Sequence, residues 1–442
     1  MFRNIDPYKF SETIFLMGIF LLASALSIGS FFLVISSIFS LFLNKEKLLR
    51  DKWSLILIFI TFVMIISCIF QTQSYLGKDL YGWNITLTWI GLLNWIPFFY
   101  LFITTKYFLI TTSQRLKVAV LLFSGSIPVL ITGIGQYYFN WEGPLSFSNG
   151  LVIWYLKDIE PPLGLSGLFS NQNYAGTWLS VIWPFSLGFI YLNKKNNSRK
   201  FISILFLAIT TLTIILTTSR NALSGILISI PIILGIKSIL IILSLLIFLL
   251  TLYFLAQYIS IASSLFDFLL SLLPIQVINK FNNLSFTNLW EFRRINLWSE
   301  SLNLISSRPI FGLGAALFPI LYSIYYNPIY FTEQHTHNLF LELAAGYGFI
   351  VSISFLIFIS YLFFSTWQFL DKEKKINYPN KIINKSWIAA SVIIVLSQMY
   401  DVTYYDGKIS ILIWIFLAGL KCIIEDENEG TINQNNLLEM QK

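Results

Sequence analysis

LWEFRRINLWSESLNLISSRPIFGLG (Leu289–Gly314) and the opening of EQHTHNLFLELAAGYG (Glu333–Gly348) belong to the longest part of the chain that a bilayer cannot hold, and the second stretch carries both histidines, His335 and His337. The rest is strongly apolar. Of 442 residues, 56% are hydrophobic and 12% charged, with a mean hydropathy of +0.71. Soluble domains carry roughly 25% charged residues, so this is an integral membrane protein. Long continuous apolar runs read as helices, giving an all-α polytopic fold with one long outer loop that contains amphipathic helix.

A span needs about 20 apolar residues. Phe10–Leu43 is long enough for two, with a break expected at Ile28-Gly29-Ser30. Further spans are expected at 53–70, 88–104, 118–135, 174–192, 201–217, 221–237, 238–258, 338–365, 387–403 and 409–424, making about twelve. The chain divides into an N-terminal bundle of about nine spans (1–258), a periplasmic loop (259–337), about three C-terminal spans (338–424) and a polar, disordered tail (425–442). No small-residue cleavage site follows MFRNIDPYKF (Met1–Phe10), so the first apolar run reads as a retained span. Cys68 and Cys422 both lie in apolar runs, which excludes a disulfide framework and a CxxC metal knot.

Lys and Arg are retained on the cytoplasmic side of short loops. With both termini inside, 21 of the 29 positive residues fall on inside segments. The net charge of +7 is therefore a topology signal and does not point to nucleic acid.

The groups able to do chemistry gather on the outer side. Arg220, in TTSRNALSG, sits at the outer boundary, where positive residues are disfavoured; a guanidinium fork there suits a phosphate or carboxylate. Leu289, Phe292, Ile295, Trp298, Leu302 and Ile305 step by three or four, which predicts an amphipathic helix lying on the outer membrane surface. Arg294 falls on the side of Trp298, whereas Arg293 points towards Glu300 and water. In extended backbone Glu333, His335 and His337 would line one face, a spacing compatible with a metal; a helix beginning near Asn338 breaks it, and no metal is expected. His337, at the mouth of that helix, suits a general base near neutral pH, with Glu342 one turn on to orient it. Nearby aromatics such as Trp141, Trp154, Tyr322 and Tyr330 suit the headgroup level, a few of them sugar rings.

Three stretches resemble the O-antigen ligase and polymerase superfamily of bacterial envelope glycosyltransferases: GLFSNQNYAG (Gly167–Gly176); Arg294 through Trp298 to Pro309, Gly312 and Gly314; and HTHNLFLELAAGYG (His335–Gly348). Where the family reads Glu-x-Gly-x-x-Gly after the histidines, this chain has Gly346, Gly348 and Val351. The resemblance implies a multi-pass protein of the bacterial inner membrane that moves a glycan from a polyprenyl-diphosphate carrier to an acceptor hydroxyl at the periplasmic face. It implies His337 as base and Arg294 and Arg220 as a diphosphate clamp, with Arg293, His335, Asn338, Glu342, Asn173 and Trp298 around the substrates. The expected partners are the lipid-linked donor, a lipid or glycan acceptor and membrane lipid; no cofactor is expected, and the transfer is metal-independent and inverting. A ligase is favoured. A repeat-unit polymerase of the same superfamily and a small-anion (bicarbonate) transporter are the alternatives.

Overall fold

The computed structural model describes residues 6–43, 51–78, 81–159, 164–271, 278, 290–326, 333–372 and 378–440. Its elements are α1 (Pro7–Leu21), α2 (Leu26–Leu43), α3 (Lys52–Tyr75), α4 (Thr86–Ile90), α5 (Ile96–Thr105), α6 (Thr112–Gly125), α7 (Ile127–Phe139), an antiparallel hairpin of β1 (Leu145–Phe147) and β2 (Val152–Trp154), α8 (Gln172–Leu192), α9 (Asn197–Leu216), α10 (Arg220–Leu234), α11 (Ser238–Ala256), α12 (Ser260–Ser271), α13 (Trp290–Ser306), α14 (Phe318–Tyr325), α15 (Leu339–Tyr347), α16 (Phe349–Lys372), α17 (Tyr378–Ser397) and α18 (Gly407–Met440). The fold is the all-α polytopic one expected. Among the described residues, eight helices are long and apolar enough to cross a membrane, and Leu26–Phe42, Arg220–Leu234 and Ser260–Ser271 are shorter apolar helices.

Burial grades the bundle from centre to rim. In α18 and α8, 94% and 78% of the apolar stretch is buried, against 6% in α11. A helix apolar all round belongs at the centre of a bundle or in lipid; α18 takes the first place and α11 the second. Trp387 of α17 lies over Gly419 of α18, where any side chain would overlap its indole, and its Nε1–H donates to the Phe416 carbonyl at 3.0 Å.

Several boundaries differ from the sequence expectation. The first pair of helices breaks at 22–25, not at Gly29, because Gly29 faces Gly18 across the pair and lets the two backbones approach. The run 338–365 is not one span: Gly348, at φ +92°, ends α15 before α16 begins. The backbone of α18 continues as helix to Met440, through the stretch from Glu425 expected to be disordered. Within α13 the buried stripe is Leu297, Ser301, Leu304 and Ile305, while Ile295 and Leu302 are exposed. That stripe packs on Ala344 and Ala345 of α15 with Tyr75 and Trp83, so α13 docks on protein through a face other than the one its apolar periodicity names. Tyr330 lies outside the described residues.

The glycines after α13 hold this docking. Leu313 donates to Ala345 O at 2.7 Å and Phe349 to Pro309 O at 2.8 Å, so the loop after α13 pairs with the α15–α16 junction backbone to backbone. Gln71 of α3 donates to the Gly346 carbonyl at 2.8 Å and to the Phe311 carbonyl, closing the same joint. A Cβ at Gly348 would overlap the Ile310 carbonyl oxygen. Gly348→Ala is therefore expected to cost about 1–3 kcal/mol in backbone strain alone and more from the overlap; a clear drop in melting temperature in detergent, absent in a surface control such as Ser244→Ala, is the check.

Candidate active site

At the end of the bundle where α8, α10 and α18 begin, a cavity of about 370 Å³ opens between four segments. The start of α8 contributes its cap Asn171 with Asn173 and Tyr174; α13 contributes Arg294 and Leu297; the bent stretch before α15 contributes Glu333, Gln334, His335 and His337; and the loop before α18 contributes Asp401 and Val402.

Each segment is fixed by its own sequence. Asn171 caps α8, its side chain accepting from the Asn173 N–H at 2.7 Å. The loop ahead of it is gripped by Gln136, which accepts from Ser166 and Gly167 N–H groups, and by Lys408, whose Nζ donates to Leu168 O at 3.0 Å and lies over the Phe169 ring. Asn338 caps α15 by accepting from Phe340 and Leu341 N–H groups and donates to Met399 O. Just before it His337 adopts φ +53°, a left-handed conformation that histidine enters more readily than most residues. Asp406 accepts from the Lys408 and Ile409 N–H groups and starts α18, which fixes the Asp401 loop.

The imidazole of His337 lies between two carboxylates. Its Nδ1 is 2.9 Å from Asp401 Oδ1 and its Nε2 is 3.1 Å from Glu333 Oε2. An ionised carboxylate can only accept, so Nδ1 carries the proton in the Asp401 pair. Asp401 Oδ2 also accepts from Asn173 Nδ2 at 2.9 Å, which links the α8 turn to the histidine. Burial pushes the Asp401 carboxyl up; the hydrogen bond and charge of His337, the Arg294 guanidinium and the Asn173 amide outweigh it and hold the group below its ordinary 3.8.

His335 turns the other way, stacking on Tyr405 with ring centroids 5.0 Å apart and bringing Nδ1 to 3.8 Å from Glu342 Oε1. Glu342 does not reach His337. Its carboxylate accepts from the Thr336 N–H at 3.0 Å, the Thr336 hydroxyl at 3.1 Å and the Tyr405 hydroxyl at 3.2 Å. Burial raises this carboxyl as well, and the His335 and Thr336 contacts bring it net below its ordinary value. Glu342 is therefore a clasp on the Thr336 backbone, one residue from the histidine it was expected to orient.

Of the residues singled out in the sequence, Asn173, Arg294, His335 and His337 line the cavity together. Asn338 is taken up by its cap. Trp298 does not line the cavity; its indole N–H is buried with no hydrogen-bond partner among the described residues. Arg220 is exposed at the first turn of α10 and does not line the cavity, though the α10 N-terminus packs against the α8 turn, Ser219 beside Gly176. The Arg293 side chain lies outside the described residues. Asp401 was missed, and Glu333 was noted only in a metal spacing; among the described residues no group of three or more His, Cys, Asp or Glu is arranged to hold a metal ion.

Fold and site thus define a polytopic helical membrane protein with a cavity carrying an acid–base pair and an arginine at one end of its bundle. Comparison with known proteins agrees with the motifs: residues 204–356 of the 442 are similar to the family model described as O-antigen ligase, and the resemblance is borne out over that stretch. No curated protein matches the chain. The match supports a glycosyltransferase-like membrane enzyme of the O-antigen ligase type. The match contains Arg220, Arg294 and His337, while Asn173 and Asp401 lie outside it.

A carboxyl held below its ordinary value stabilises the fold above that value. For Asp401 the contribution is complete above 3.8 and lost as pH falls through the lower folded value. Asp401→Asn is expected to melt below wild type by the same margin at pH 7 and pH 5, with the gap closing only below 3.8; a gap that closes already between pH 7 and pH 5 would contradict this account.

Proposed function

We propose that the protein is a ligase-type transferase that moves a polyprenyl-diphosphate-linked glycan onto an acceptor hydroxyl at the periplasmic face of the bacterial inner membrane, without a metal ion and with inversion at the sugar carbon. The observation that carries this reading is that His337, fixed through Nδ1 by Asp401, shares its cavity with Arg294. With Nδ1–H committed to Asp401, Nε2 is the nitrogen that takes a proton from the acceptor once its resting contact with Glu333 opens. The acceptor oxygen then bonds to the anomeric carbon as that carbon's bond to the diphosphate breaks, on the opposite face.

The leaving diphosphate gathers negative charge, and a guanidinium offers it a paired, charge-assisted contact. Arg294 fills this role from inside the cavity. Arg220, exposed at the first turn of α10 outside the cavity lining, is the second arm for a diphosphate that extends beyond the cavity, where the helix N-terminus adds its own attraction for an anion. Both termini face the cytoplasm in this reading, as the distribution of Lys and Arg supports. Asn173, His335 and Tyr174 supply the neutral and aromatic lining that a sugar needs.

A deletion strain complemented with wild type is expected to restore long glycan on its final anchor. His337→Ala is expected to lower transfer by about 10²–10⁴-fold and Arg294→Ala by about 10²–10³-fold, leaving full-length glycan on the carrier. Asp401→Asn should fall between wild type and His337→Ala. Gel separation of carrier-linked and anchored glycan decides the matter: single repeat units accumulating on the carrier would indicate a polymerase, and unimpaired transfer by His337→Ala would remove the histidine from the chemistry.

A further inference from the structure

Asp401 accounts for one side of the His337 ring; the other side is closed by Glu333. Four extended residues span about 13 Å, yet Glu333 and His337 meet side chain to side chain, because the segment is not extended and bends at His335. The contact is well sheltered, with Glu333 only 12% and His337 26% exposed at the side chain. Whichever of the two carries the shared proton, Nε2 directs no lone pair into the cavity while Glu333 is there: either the ring donates N–H to a carboxylate, or its lone pair accepts from a carboxylic acid.

Resting on the proposed role of His337 as base, we infer that Glu333 guards that base against water and so sets the preference for transfer over hydrolysis. A donor in the cavity with an exposed Nε2 would be at risk. Water could bond through its oxygen to the anomeric carbon, give its proton to Nε2 and release polyprenyl diphosphate and free glycan. The hydrogen bond already in place between Nε2 and Glu333 must be broken first. A lone water brings no other contact to offset that loss, whereas an acceptor held elsewhere on the protein arrives with its hydroxyl positioned and displaces Glu333, which leaves as the carboxylic acid with the shared proton and uncovers the Nε2 lone pair. Glu333 therefore acts as a specificity-determining residue, and its effect is on the partition between two products.

The test uses full-length protein in proteoliposomes with polyprenyl-diphosphate glycan extracted from the source bacterium's membranes, first without acceptor and then with it, free and transferred glycan being separated by mass spectrometry. Glu333→Ala and Glu333→Ser remove the guard; Glu333→Gln keeps a side chain of the same shape against Nε2. The expected result is that the ratio of free to transferred glycan rises at least about tenfold in the Ala and Ser variants and stays near wild type in the Gln variant. An unchanged ratio in folded Ala and Ser variants overturns the inference, as does loss of both products in protein that still elutes as a folded species. Adding His337→Ala to Glu333→Ala should abolish the extra hydrolysis; persistence there overturns the guard. The His337→Ala single variant separately reports whether the base assignment stands.

Discussion

The Asp401 carboxylate takes hydrogen bonds from Asn173 and from His337, and through them joins the start of α8, the loop before α18 and the start of α15. A carboxylate this sheltered would be costly without partners, so the three segments must arrive together. They are well placed to do so. The helices entering from Asn173 and Asp401 are the two most buried spans, and Leu339 at the head of α15 donates to Gln398 O at the end of α17. The site rests on the least deformable part of the bundle, as an acid–base pair needs if its geometry is to hold within a fraction of an ångström.

Lipid leaves the chemistry little choice of position. A bilayer core tolerates helices whose polar backbone is satisfied internally, and charged groups within it are costly. The buried ions follow this rule at both ends: Lys421 pairs with Asp51 at the end opposite the cavity, where Arg115 donates to the Leu109 carbonyl and to Asn384. Lys421 and Asp51 answer each other, Arg115 is held by its own neighbours, and both sets serve the fold. At the cavity end, polar groups face an open volume instead.

Much of the architecture was legible from hydropathy, because a membrane converts apolar length directly into helices. The clustering of Arg294, His335 and His337 was legible too, since a polar stretch amid apolar runs has few places to go. Asp401 was not: it lies 64 residues from His337 in a short hairpin, and nothing local to it differs from a solvated loop acid. Glu333 was seen at an extended-strand spacing, which the bend at His335 replaces with a direct contact to His337. The inward face of α13 was misread for a related reason. Periodicity names an apolar stripe, but Ala344 and Ala345 of α15 present a shallow surface that selects Leu297, Ser301 and Ile305 over the larger Trp298 and exposed Ile295.

The departure from the family pattern at Gly346 can be weighed on the same physical terms. A glutamate is expected there, and a Cβ at Gly346 would meet no atom within 4 Å, so packing does not forbid a side chain. Glu342, one turn earlier, is no replacement at the histidine, because both its oxygens are engaged by Thr336 and Tyr405. The ring of His337 nonetheless has a carboxylate at each nitrogen, and neither comes from α15. What α15 supplies is the Asn338 cap, the Glu342 clasp on Thr336 and, at Gly346, a carbonyl for Gln71. The first two fix backbone next to the histidine, and the third holds the far end of α15. On this arrangement a glutamate at 346 is dispensable for holding the imidazole, whose orientation depends on a loop acid and on the residue four positions before it.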